Sequence, residues 1–476
     1  MKIAMVASEA NPFVKSGGLA DVVYALSKEL VTFGHEVAIL LPYYKSAEAR
    51  LLKKPMFKGA LHFNMSWRDC YAEVYELVQD GITYYFIKNE QYFGRDGLYG
   101  YGDDGERFAF FTLAARNALP LVNFQPDIIH VHDWQSGMLP ALIKVQNHND
   151  PFYQKTKFVM TIHNPAFKGM LDPSALDNLY NLPYSIYEDG STRFEGRVST
   201  LKSGIVYADK VTTVSPNHRN ELLTPEGSWG LEGVLHTREY DFCGFVNGID
   251  YGEFDPEKDS FITKTFSAKT IASGKKANRE ALFKECFLQD RGGPLFGLVS
   301  RLTFQKGIDL VYSIMPKLLQ QGAMFAVCGS GEHELEEAFE DLRRRFPSQV
   351  SIYIGYSNKR AHEIYAASDF FLMPSSFEPC GIGQMIAQRY GTLPVVRWTG
   401  GLVDTVVGYN GHNADKADGI GFDSYDYGGI DYGTNLAMEL FKKKKDFEKI
   451  RKNAITKDNS WAKSARLYEG LYKAIL

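Results

Sequence analysis

Residues 375–401 read SSFEPCGIGQMIAQRYGTLPVVRWTGG, and the fold is worked out from this stretch. An apolar run, DFFLMP, leads into Ser375 and Ser376, then the carboxylate of Glu378 and a proline, before Gly381 opens a helical run, IGQMIAQRY, that stops before Gly391. That order aims Glu378 into the space beyond the end of a strand. A second apolar run, TLPVVRW, ends in Thr399, Gly400 and Gly401, where missing side chains let backbone N–H groups approach a ligand and the next helix start favours an anion. A carboxylate and an anion cradle are thus expected at neighbouring strand ends, where open parallel sheets bind ligands. Two ordinary strand-to-helix turns use the same Pro and Gly grammar, so on this stretch alone both readings stay open.

The chain of 476 residues exceeds the size at which one core keeps growing, so two or more domains are expected. Lys and Arg total 53 against 57 Asp and Glu, and a formal charge of -4 is too balanced to argue for nucleic acid or another polyanion as a partner. Any phosphate site must be local. Five scattered cysteines without C-x-x-C spacing fit a reducing compartment, with cytoplasm as the default, and give no zinc motif. The N-terminal apolar run is cut by Glu9, and no stretch approaches the ~20 apolar residues of a membrane span.

Residues 2–7 read as a buried strand, followed by a glycine pair, Gly17 and Gly18, at the start of a helix with apolar Leu19, Val22, Val23, Leu26 and Leu30. Lys15 just before the pair and Asp21 in the first turn suit a diphosphate or a sugar; a plain Gly-rich connection with a solvated lysine is the other reading. Neither G-x-G-x-x-G nor P-loop spacing is present. Residues 60–90 alternate apolar and polar and are expected as antiparallel strands or a meander beside the main sheet, followed by a Gly- and Tyr-rich loop that carries Tyr99. In DIIHVHDW, His130 and His132 share a strand face and, with Asp133, resemble a metal-hydrolase H-x-H signature; packed core histidines are the alternative. FVMTIHNP places His163 at the end of the next strand.

Enrichment in Gly, Asp and Pro over residues 247–259 marks a candidate boundary. From PLFGLVSRL onward, strands and helices alternate regularly, as in a second parallel sheet. Arg301 and Lys306, five apart across a turn, are placed to converge on one phosphate, or are a solvated pair at a helix start. Residues 442–445, all lysine, read as a solvated helix face. No D-x-D triplet occurs to bridge Mg²⁺ to a sugar nucleotide. Two αβ domains joined by a hinge would leave a cleft between two sets of strand ends. Cations and amides there suit a diphosphate leaving group, and carboxylate, Asn and His suit sugar hydroxyls.

KSGGLADV, HVHDW, TIHN, VTTVSP, GLEGVL, VNGID, SRLTFQKG, SSFEPCGIGQM and RWTGGLVDTV, in this order across nearly the whole chain, resemble the motif series of bacterial glycogen synthases and plant starch synthases. The resemblance implies two Rossmann-like domains facing a central cleft, the GT-B glycosyltransferase architecture. They would span residues 1–250, the acceptor side, and 251–456, the donor side, with a helix at 457–476 crossing back. It also implies transfer of glucose from ADP-glucose to the non-reducing end of an α-1,4-glucan, with retention, without metal or other cofactor, and with neither nucleic acid nor membrane as a partner.

By the same resemblance, Lys15, Gly18 and Asp21 match the loop over the donor phosphates, Arg301 and Lys306 the pair on the distal phosphate, and Thr399, Gly400 and Gly401 the amide cradle. Glu378 matches the carboxylate that holds the donor sugar, His163 and Asn247 groups near its 6-hydroxyl, and Tyr356 a residue near the base. Asp133, Trp134 and Tyr99 match the acceptor side. Glu378, Lys306, Arg301, His163 and Lys15 would form the catalytic set. The family usually continues from His-Asn to Tyr-Gln-Gly or His-Gln-Gly, whereas this chain has Phe167, Lys168 and Gly169, which exchanges a polar group for a cation on the acceptor side. Competing readings are a UDP-glucose-dependent synthase, a glucan phosphorylase (usually much longer, with lysine-bound pyridoxal phosphate), a metal hydrolase on His130 and His132, and a glucan-binding protein without activity.

Overall fold

Strands such as KIAMV (Lys2–Val6) and MFAVCG (Met324–Gly329) are buried almost throughout, as a parallel sheet covered by helices on both faces requires. The computed structural model describes residues 1–476 and contains two sheets built on such strands, one mixed and one all-parallel, each in its own unit. One unit is Met1–Phe245 with Ser464–Leu476, and the other is Val246–Lys463.

The first unit holds a nine-stranded sheet in the spatial order Phe242–Gly244, Lys210–Thr213, Lys157–Ile162, Ile128–His132, Lys2–Val6, Glu36–Pro42, Ile82–Lys88, Arg68–Gln79, Met56–Met65. All neighbours pair in parallel up to Ile82–Lys88, and the last two strands pair antiparallel. Residues 60–90 therefore do not lie beside the main sheet, as their alternation suggested, but extend it, because Ala38 to Pro42 register against Thr83 to Ile87. Alternation reports one wet face and says nothing about which strand is the neighbour. The strand order reverses between Lys2–Val6 and Ile128–His132, the kind of switch point at which two loops diverge and leave a crevice.

Helix Gly18–Thr32 buries Leu19, Val22, Val23, Leu26 and Leu30. The final helix, Trp461–Ile475, contributes Tyr468 and Tyr472 to the interior of this unit, Tyr468 with its ring centroid 4.9 Å from that of Phe245.

The second unit is a six-stranded, all-parallel sheet in the order Val350–Ile354, Met324–Gly329, Leu295–Val299, Phe370–Met373, Leu393–Arg397, Ile420–Phe422. Its core stacks Phe296 between Phe325 and Phe370 at centroid distances of 5.3 and 5.5 Å. Here the order reverses between Leu295–Val299 and Phe370–Met373. Lys442 to Lys445 are exposed but do not form a helix face: Lys443 is the junction between helices Tyr427–Lys442 and Lys444–Thr456.

Candidate active site

In the second unit the loops after the two switch-point strands meet. Strand Leu295–Val299 is followed by Arg301, which is exposed, and by a single turn, Phe304–Lys306, closed by Gly307 at φ 68. A Cβ at Gly307 would run into the Pro374 carbonyl, so this glycine permits the turn to lie against the end of strand Phe370–Met373. The Gln305 carbonyl accepts from the Ser376 N–H at 2.9 Å, and the Gln305 amide donates to the Phe377 carbonyl at 3.2 Å. The Lys306 ammonium thereby sits 2.5 Å from a Glu378 carboxylate oxygen, which also accepts from Ser375 Oγ at 3.1 Å. Both side chains are largely shielded from water, so the pair is a strong charge-assisted contact.

Gly400, at φ 45, and Gly401 pack directly on this loop. The Gly401 N–H is shared by the Glu378 and Pro379 carbonyls at 3.1 Å each, and a Cβ on Gly400 would collide with the Glu378 carbonyl. Thr399 and Asn247 are buried, and the Asn247 backbone N–H faces the Cys380 thiol, which burial pushes up to about 12. Lys306, Glu378, Asn247, Thr399, Gly400 and Gly401 are thus brought together. Tyr356 is not: it is exposed beyond edge strand Val350–Ile354, and its hydroxyl donates to Asn358 Oδ1.

In the first unit, the loops after three adjacent strands carry the remaining candidates. After Lys2–Val6, the Lys15 ammonium lies 2.9 Å from Asp21 Oδ1, which also accepts from the Asn11 amide at 3.0 Å. Burial holds the Asp21 carboxyl above its usual range, against the pull of Lys15. A Cβ at Gly17 or Gly18 would meet nothing within 4 Å, so the helix start is open. Glu9, noted in the sequence only as a break in an apolar run, organises the region. It accepts from the Ser16 N–H, from Ser16 Oγ at 2.6 Å and from the Tyr99 hydroxyl at 2.6 Å. A carboxylate just past the end of an apolar strand is the signal that could have found it. Tyr99 is thereby drawn to the Lys15 loop, with Ser8 Oγ 2.8 Å away.

After Ile128–His132, Asp133 adopts φ 53, a conformation uncommon for a residue with a side chain. Its carboxylate accepts the backbone N–H groups of His163 at 2.7 Å and Asn164 at 3.3 Å, tying this loop to the next strand end. Burial outweighs those bonds and lifts its carboxyl to about 7. Trp134 packs edge-on to Phe108 at 5.1 Å and against Gly169, at φ 61, where a Cβ would strike the indole. The Lys168 ammonium, the cation in which this chain departs from the family pattern, is 5.5 Å from the Phe194 ring centroid.

His130 and His132 do not form a metal centre. Both ring nitrogens of His130 are committed, Nδ1 to the Tyr472 hydroxyl at 2.7 Å and Nε2 to Thr161 Oγ1 at 2.5 Å, and no cluster of three or more His, Cys, Asp or Glu has the arrangement to hold a metal ion. His132 Nδ1 is 3.0 Å from His163 Nε2.

This two-unit arrangement agrees with comparisons to known proteins. Residues 2–237 match the starch synthase catalytic domain and residues 282–454 the glycosyl transferases group 1 family. A glycogen synthase of Clostridium perfringens is 43% identical over 477 aligned residues, covering 100% of this chain and 98% of its own. This chain belongs to the glycogen synthase family. A second glycogen synthase, from Anoxybacillus flavithermus, is 41% identical with 100% and 98% coverage. The catalytic domain of starch synthase IV from Arabidopsis thaliana, solved with ADP and acarbose, superposes with a TM-score of 0.88 at 31% identity over 99% of each chain. Sucrose-phosphate synthase from Thermosynechococcus elongatus, at 13% identity and a TM-score of 0.62 over 100% of this chain and 98% of its own, shares the fold. As a glycogen synthase family member the chain is a glucosyltransferase with the two-domain α/β fold of the GT-B class, which overturns the metal-hydrolase alternative. No helix is long and apolar enough to cross a membrane.

Proposed function

We propose that the protein transfers glucose from ADP-glucose to the non-reducing end of an α-1,4-glucan, with retention at the anomeric carbon and without a metal cofactor. The reading is carried by one observation: a cation, Lys306, held 2.5 Å from Glu378 beside the Gly400 and Gly401 backbone at neighbouring strand ends. Lys306, Arg301 and the glycine amides would take up the charge that develops on the leaving diphosphate. Glu378 would bind the donor sugar and offset positive charge on the reacting carbon. The anomeric carbon then exchanges its bond to the phosphate oxygen for one to the acceptor hydroxyl on the same face, and the acceptor proton passes to the leaving phosphate. Lys15 with Gly18 and Asp21 would contribute to the donor phosphates, His163 and Asn247 to the sugar hydroxyls, Tyr356 to the base, and Asp133, Trp134 and Tyr99 to the glucan. The ADP preference is supported by the ADP bound in the starch synthase IV structure. The free cysteines fit a cytoplasmic enzyme.

The test is release of nucleoside diphosphate from ADP-glucose and from UDP-glucose, each with and without glycogen, in the presence of EDTA. Faster, glycogen-dependent ADP release is expected. Faster release from UDP-glucose would overturn the base assignment, and loss of activity with EDTA would overturn metal independence.

A further inference from the structure

His132 and His163 lie on adjacent strands, and their rings meet through His132 Nδ1 and His163 Nε2 at 3.0 Å. Burial drives the protonation of His163 down to about 3 and that of His132 well below its ordinary value, so both rings are neutral at working pH. A neutral imidazole has one N–H and one lone pair, so one partner donates and the other accepts. The contact alone is symmetric. What breaks the symmetry is the far side of His132: its Nε2 is fully buried and has no hydrogen-bonding partner. His130 stacks on His132 at 4.2 Å and is itself held by Tyr472 and Thr161, which keeps the His132 ring in this plane. A buried N–H without an acceptor is rare and costly; a buried lone pair without a donor is better tolerated.

We infer that His132 is a positioning residue that carries its proton on Nδ1, donates it to His163 Nε2, and so fixes His163 as the tautomer protonated on Nδ1. His163, half-buried at the end of strand Lys157–Ile162, spends only Nε2 on the protein. Its Nδ1 is then an N–H donor, suited to an oxygen acceptor on the sugar and unable to take a proton from an acceptor hydroxyl. This assignment rests on the reading of His163 as a substrate contact.

The experiment is long-range ¹H–¹⁵N NMR of imidazole-labelled protein, with the His163 ring assigned by the variant His163→Gln, together with transfer kinetics. Wild-type His163 should show Nδ1–H and an unprotonated Nε2 between pH 6 and 8. His132→Asp puts an ionised acceptor in place of the donor, so at pH 8 a proton should appear on His163 Nε2, with kcat/KM falling about tenfold, the scale of one hydrogen bond. His132→Asn, whose amide N–H stands where Nδ1–H stood, should keep the tautomer and most of the activity. An Nε2–H tautomer in the wild-type protein, or an Nε2 still unprotonated at pH 8 in His132→Asp, would overturn the inference. Full activity in His163→Gln with the Nδ1–H tautomer present in wild type would instead remove His163 from the substrate site while leaving the ring assignment intact.

Discussion

Glu378 and Lys306 share a pocket where neither is well hydrated, so each depends on the other for charge compensation. Replacing Glu378 by Gln, or Lys306 by Ala, removes one electrostatic partner of the proposed transition state, and turnover is expected to fall about a hundredfold or more. Steady-state kinetics with circular dichroism to confirm folding checks this; wild-type rates in a folded variant would refute the roles. Asp133 offers a different test. Its folded carboxyl titrates near 7 because it is buried, whereas in the unfolded chain it titrates at about 4. Between those values the folded state binds the proton more readily, so this group's contribution to stability falls as pH rises through the window and is level above it. Asp133→Asn keeps an oxygen for the His163 and Asn164 N–H groups but cannot ionise. Its Tm relative to wild type should therefore climb from pH 4 to 7 and then stay constant, and a difference independent of pH would rule the assignment out.

Two elements prepare the Glu378 loop. The glycine turn after strand Leu393–Arg397 puts Gly400 at φ 45, ψ -133 with the Glu378 carbonyl where a Cβ would be. Gly400→Ala should cost about 1–3 kcal/mol through backbone strain and displace the loop, seen as a lower denaturation midpoint and weaker ADP binding by calorimetry. Helix Ile271–Glu285 carries a buried lysine. Lys275 donates to the Tyr365 carbonyl at 3.2 Å, the Tyr390 carbonyl at 3.0 Å and Thr392 Oγ1 at 2.6 Å, ending two helices at once. One of them, Gly383–Arg389, is the helix into which the Glu378 loop runs. Lys275→Met takes the donor from the Tyr390 carbonyl, while the Tyr365 carbonyl keeps Thr392 Oγ1 at 2.6 Å, and urea denaturation should show a loss of about 2–3 kcal/mol.

The whole chain closes on its first unit. Residues from the final helix lie far from that unit in sequence, yet Glu469 meets His35 at 3.0 Å, Tyr472 meets His130 at 2.7 Å, and Arg466 lies 3.7 Å over the Phe33 ring. Tyr468 and Tyr472 are fully buried. A chain ending at residue 463 would uncover the pocket that holds them and leave the His130 Nδ1 unpaired. It should melt well below the full-length protein, while Tyr472→Phe, which keeps the ring and loses the hydroxyl, should lie between the two. Equal melting of truncated and full chains would deny the helix this role.

Periodicity, glycines and strand ends are local properties, and by themselves they pointed to two αβ sheets, to the strand ends that carry Glu378, Lys306, Gly400 and Asp133, and, through the ordered motifs, to the family. They could not establish which ends are neighbours, because strand order depends on pairing between segments far apart in sequence. The reach of Lys306 to Glu378, the fusion of residues 60–90 into the main sheet and the separation of Tyr356 from the Glu378 loop were decided by that order. So was the chemistry of buried polar groups: Glu9 as a hub, and His132 as the partner of His163 rather than a metal ligand, follow from which donors and acceptors the fold leaves within 3 Å or so of one another in the absence of water.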